Sequence, residues 1–70
     1  MSYEAFFRRK FADFLRENFR SPEHIAVCFG VTARQAQNWL DETSGPRGHI
    51  VAKAMTDPSM AASAMRHLGG

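Results

Sequence analysis

The sequence predicts an all-α fold of four to five short helices, and three observations carry that prediction. Apolar residues recur at three- and four-residue steps, the spacing that lines one face of a 3.6-residue helix. No stretch has the apolar–polar alternation of a strand. Residues that start or stop helices, at Ser21-Pro22, Gly30, Thr32, Gly45-Pro46 and Asp57-Pro58, cut the chain into segments of helical length. Seventy residues are enough for one domain, 1–70, and near the lower limit for a self-sufficient core.

The first helix is predicted from Tyr3 to Phe19. Ser2 is its N-cap, and Glu4 sits in the first turn, where the helix dipole favours an anion. Tyr3, Phe6, Phe7, Phe11, Phe14, Leu15 and Phe19 form a wide aromatic stripe. The second helix opens at Ser21-Pro22-Glu23, with serine as cap and proline at the first position. It carries Ile25, Ala26, Cys28 and Phe29, and Gly30 stops it by accepting a left-handed backbone.

Thr32 and Gln35 have the spacing of a capping box. They open a third helix, Ala33 to Leu40, whose inward residues are Ala36, Trp39 and Leu40. Thr43-Ser44-Gly45-Pro46 reads as a loop. A fourth helix is predicted over Arg47 to Met55, presenting Ile50, Val51, Ala54 and Met55. Asp57-Pro58 restarts the chain as cap and first position of a fifth helix near Ser59 to Leu68, with Met60, Ala61, Ala64, Met65 and Leu68 as its apolar residues.

Composition narrows the function classes. A single cysteine, Cys28, rules out an intramolecular disulfide and fits a reducing compartment. No apolar run approaches the roughly 20 residues of a membrane span, and no targeting segment is evident, so a cytoplasmic location is expected. Nine Lys/Arg against seven Asp/Glu make the chain mildly basic, at +2. His24 and Cys28 lie four apart on one helix, but two ligands do not hold a structural zinc, and no further Cys/His pair completes a set. There is no Gly-rich phosphate loop and no recognisable catalytic carboxylate pair. The sequence therefore points to no enzyme, no catalytic residue, no metal, no cofactor and no small-molecule substrate.

The informative stretch is Pro22 to Leu40. Two helices of about eight residues meet across a short turn. A small residue, Ala26, is placed where they cross; Gly30 supplies the bend; Val31 plugs the turn; Ala36 and Trp39 face inward. Ala26 precedes the glycine by four positions, and Ala36 and Trp39 follow it by six and nine. That is the spacing of a DNA-binding helix-turn-helix.

The stretch resembles the compact DNA-binding domains of phage repressors and Cro-type regulators, a lambda-repressor-like fold. The likeness rests on Ile25-Ala26-x-x-x-Gly30-Val31-Thr32, then Ala36-x-x-Trp39-Leu40, then Gly45-Pro46 before another helix. It covers Phe11 to Met55 best. The resemblance implies sequence-specific binding of double-stranded DNA by a nucleoid-associated transcriptional regulator, commonly a homodimer, with residues 33–41 entering the major groove. Carried over by position, Ala33, Arg34, Gln35, Gln37 and Asn38 become the base-reading candidates. Arginine pairs bidentately with guanine, and glutamine or asparagine with adenine. Thr32, Arg47, Gly48 and His49 become the phosphate candidates, because exposed amides, a small residue and a guanidinium suit an anion.

Each reading has a competitor. The polar residues of the third helix can be a solvated face, and Arg34 can serve a surface ion pair. Arg8-Arg9-Lys10 reads as a solvated helix face rather than a DNA contact. Asp41 and Glu42 should face away from a DNA backbone or repel it. Residues 58–68, with part of the aromatic stripe, offer apolar surface for a two-fold contact. The rival function is a protein-interaction module, an adaptor or anti-repressor, in which the third helix meets protein.

Overall fold

Five helices follow one another: α1 (Tyr3–Asn18), α2 (Pro22–Phe29), α3 (Ala33–Leu40), α4 (Gly48–Thr56) and α5 (Ala61–Leu68). The computed structural model describes residues 2–69, and no strand occurs among them. Side-chain caps start the first three helices as the sequence predicts. Ser2 Oγ accepts from the Ala5 amide at 3.1 Å, Ser21 Oγ from His24 at 3.2 Å, and Thr32 Oγ1 from Gln35 at 3.0 Å. Only this half of the Thr32–Gln35 capping box forms; the reciprocal bond from the Gln35 side chain is absent among the described residues. Gly30 takes φ +69° and ends α2.

Predicted boundaries move in three helices, α1, α4 and α5. α1 stops at Asn18 rather than Phe19, because Phe19 swings to extended backbone and sets its ring 5.8 Å from Phe29. α4 begins one residue late, with Arg47 as an N-cap that makes no side-chain capping bond. α5 begins at Ala61 rather than near Ser59. Asp57 Oδ1 accepts from both the Ser59 amide (2.9 Å) and the Ser59 hydroxyl (2.7 Å). That local bonding caps a turn over residues 57–60 instead of the helix.

α1 is the platform: it packs against α3 and α5, while α2 packs on α3 and α4 on α5. The Cα radius of gyration, 10.9 Å, is what a folded chain of this length reaches. Phe11, Phe14, Leu15, Ile25 and Trp39 are fully buried. Trp39 sits at the centre, edge-on to Phe11 at 5.5 Å and to Phe29 at 6.0 Å, so one indole ties α1, α2 and α3 together.

The aromatic stripe of α1 divides. Phe11 and Phe14 are core and Phe7 and Phe19 border it, whereas Tyr3 and Phe6 are exposed. On α5, Ala64 is buried, as is Met60 just before it, leaving Met65 as the exposed large hydrophobic residue there. The apolar surface expected of residues 58–68 is thus mostly consumed within the chain. A polar clip fastens α5 to α1. Arg66 reaches both Glu17 oxygens (3.1 and 3.0 Å), His67 Nε2 lies 3.2 Å from Glu17 Oε2, and Ser63 donates to the same carboxylate. The Ser63 hydroxyl and then Arg66 hold the Glu17 carboxyl down at about 2. Among the described residues, no helix is long and apolar enough to cross a membrane.

The end of α3 departs most from the sequence reading. The Thr43 amide bonds to the Asn38 carbonyl (3.0 Å) and the Glu42 amide to Trp39 (3.2 Å), the paired bonds of a Schellman closure. Its left-handed position is held by Glu42, at φ +64°, where glycine is the usual occupant. A side chain there costs about 1–2 kcal/mol. Its negative charge also opposes the helix dipole at a C-terminus. Glu42→Gly is therefore expected to stabilise the domain by about 0.5–1 kcal/mol after the extra chain entropy of glycine is subtracted. Thermal melting should show a rise of a few degrees, at roughly 4–8 °C per kcal/mol in a domain of this size. A lowered midpoint would show that the Glu42 side chain stabilises the loop.

Candidate nucleic-acid interface

α3 is polar on one side and apolar on the other. At 100° per residue, Arg34, Gln37, Asn38 and Asp41 fall within a sector of about 100°, opposite Ala36 and Trp39. Arg34, Gln37 and Asp41 are exposed, and Asn38 is half-buried. Ala36 and Trp39 are completely covered by the core. Ala33 and Gln35 lie on the two flanks and are half-buried. The base-reading candidates are therefore not equivalent: Arg34 and Gln37 project, while Ala33, Gln35 and Asn38 sit lower against the domain.

Arg34 makes no hydrogen bond and no ion pair among the described residues, so the surface ion-pair alternative has no partner to form it. Gln37 is engaged: its amide nitrogen donates to Asp41 Oδ1 at 2.9 Å, one helical turn on. Asp41 is exposed and shares the outer face of α3 with Arg34 and Gln37.

The phosphate candidates divide between two helix starts. Thr32 is exposed and caps α3, so its hydroxyl already accepts the Gln35 amide. Arg47, Gly48 and His49 are all exposed at the start of α4. No side chain caps α4, which leaves its first amides open to an acceptor from outside. The structure brings this start beside α3, in a groove lined by Val31, Gln35, Trp39, Arg47, His49 and Ile50. The buried indole Nε1 of Trp39 has no hydrogen-bond partner.

Two arginines outside the candidate base and phosphate contacts stand on the other flank. Arg16 donates to the Leu40 carbonyl at 2.8 Å and pairs with Asp13 at 3.2 Å, so α1 caps the C-terminal end of α3. Arg16 and Arg20 line a second groove with Ser21, Pro22, Gln37 and Asp41. Nothing local marks either residue for this: Arg16 and Leu40 are 24 positions apart, and only the crossing of α1 over α3 joins them. The Arg8-Arg9-Lys10 run is not uniformly solvated. Arg9 is exposed, but Arg8 is half-buried against the Gly45 backbone and Lys10 lies 5.4 Å above the Phe6 ring.

Cys28 is half-buried, and burial pushes its thiol up, away from the thiolate a nucleophile needs. No group of three or more potential metal ligands occurs among the described residues. The class that fold and site define is thus a five-helix domain with one polar helix face flanked by two grooves that each carry arginine. No family model, curated protein or solved structure matches the chain.

Proposed function

We propose that the protein binds double-stranded DNA sequence-specifically through a helix-turn-helix formed by α2 and α3, and acts as a transcriptional regulator. α3 enters the major groove. Arg34, Gln37 and Asn38 contact base edges, Ala33 and Gln35 line the flanks, and Thr32, Arg47, Gly48 and His49 hold phosphates. The observation that carries this reading is the outer face of α3: Arg34 and Gln37 stand exposed on a helix whose opposite side is locked into the core through Trp39. A rigid helix with projecting donors is what base readout requires. The three-residue connection from α2 to α3, with Gly30 left-handed, agrees with the motif spacing.

The direct test is selection of bound sequences from a random duplex pool at stated salt. A short enriched motif supports the reading, and a two-fold-related one adds a homodimer. No enrichment, with α3 variants instead losing a protein partner, would favour the interaction module.

Salt dependence separates phosphate from base contacts. Log affinity should fall linearly with log salt, each phosphate contact adding about 0.9 to the slope. Arg47→Ala is expected to make the slope shallower by about one unit and leave base preference unchanged. An unaltered slope would remove Arg47 from the interface.

A further inference from the structure

The contact between Gln37 and Asp41 has a consequence for which base Gln37 can read. A carboxylate only accepts hydrogen bonds, so the atom of the Gln37 amide that faces Asp41 Oδ1 at 2.9 Å is the nitrogen. The amide cannot flip without setting its oxygen against the carboxylate. One of its two N–H groups is thereby occupied. What remains for a ligand is one donor and one acceptor, in a fixed order along the helix. Adenine presents that complement in the major groove, an N7 acceptor beside an N6 donor, whereas guanine presents two acceptors, N7 and O6. A free glutamine amide can turn and give its protons to guanine; one held by Asp41 has a single proton left to give. The carboxylate also adds negative charge beside the two guanine acceptors.

We propose that Asp41 is a positioning residue that sets the specificity of Gln37, selecting adenine over guanine at one base pair. It acts through the Gln37 amide and need not touch DNA. The inference rests on the DNA-binding reading above and sharpens it. It also gives Asp41 a reason to stand on the outer face of α3, where an acidic group would otherwise only weaken attraction to a polyanion. Gln37 and Asp41 are both exposed, so substitutions at either should leave the core intact.

The experiment uses the full chain and a duplex motif selected by the wild type from a random pool. Gln37→Ala first identifies the base pair that Gln37 reads. All four base pairs are then placed there and bound to the wild type, Asp41→Ala and Asp41→Asn. The wild type should prefer adenine to guanine by about fivefold or more, the lower end for a bidentate contact. Asp41→Ala should cut that ratio below about twofold, mainly by improved binding to guanine. Asp41→Asn should largely restore it, because its side-chain oxygen can still accept from Gln37. Gln37→Ala/Asp41→Ala should show the same base ratio as Gln37→Ala alone. Circular dichroism checks that each variant is folded.

An adenine preference that survives Asp41→Ala overturns the inference and leaves the DNA-binding reading standing. So does a Gln37→Ala variant that alters no base preference while Arg34→Ala still does. If the wild type selects no duplex motif, the underlying reading fails, and the inference fails with it.

Discussion

Trp39→Ala is expected to remove a large share of the domain's stability. Trp39 is 1 % exposed and stands between the rings of Phe11 and Phe29, so truncation opens a cavity where α1, α2 and α3 meet. Large aromatic-to-alanine changes in cores cost about 3–5 kcal/mol. The whole stability of a domain this size is of order 4–10 kcal/mol, at about 0.05–0.15 kcal/mol per residue. The loss is thus about a third to a half of the total at the upper end of that range, and the whole of it at the lower end, where the domain unfolds. Trp39→Phe separates volume from polarity. The indole Nε1 has no hydrogen-bond partner, so phenylalanine gives up packing but no bond. Its cost should be about 1–2 kcal/mol, in the range of smaller core truncations, and the helices should persist. Far-UV circular dichroism with urea titration measures both variants. A Trp39→Ala protein that melts like the wild type would contradict the central place of this residue.

Arg34→Ala should have the largest effect on recognition with the least effect on folding. The side chain is exposed and has no partner among the described residues, so its removal should change stability by no more than about 0.5 kcal/mol. A bidentate contact to guanine is worth about 1–3 kcal/mol, or roughly 5- to 150-fold in affinity. The loss should concentrate at one base pair, with the other positions keeping their preferences. A phosphate contact would instead weaken all sequences alike and make the salt slope shallower. The measurement is equilibrium binding to a panel of single-base variants of the selected motif. If Arg34→Ala, Gln37→Ala and Asn38→Ala each lose less than about 0.5 kcal/mol on every variant, α3 does not read DNA.

The free energy terms behind these two results act at different ends of the same helix. Trp39 anchors α3 to the platform helix through apolar contact, and Arg16 closes its C-terminal end from α1 by bonding the Leu40 carbonyl. Both restrain the helix before any ligand arrives. A restrained helix loses less conformational freedom on binding, so its outer side chains can discriminate more sharply. Glu42 opposes this order: it holds the closing turn of α3 in a backbone state that glycine would occupy more cheaply.

What the sequence determined by itself is local. Periodicity and caps were enough for an all-helical chain of five segments, because a helix is built from contacts three and four residues apart. Ser2, Ser21, Thr32 and Gly30 each stop or start a helix through their own nearest neighbours. The polar sector of α3 was legible for the same reason, since Ala36 and Trp39 define the opposite side. Where α5 begins was less legible, because Asp57 had two local uses, a helix cap or a turn around Ser59, and the turn prevailed. The Schellman closure was hidden because its key position carries glutamate where glycine would have announced it. Only the tertiary structure decided the rest. The crossing of α1 over α3 brought Arg16 to Leu40, and the docking of α5 joined Glu17 to Ser63, Arg66 and His67, 46 to 50 residues away. That docking also buried Met60 and Ala64 while leaving Tyr3, Phe6 and Met65 exposed. Apolar character says that a side chain can be buried. Which ones are buried depends on the faces that neighbouring helices present, and those are set by contacts distant in the chain.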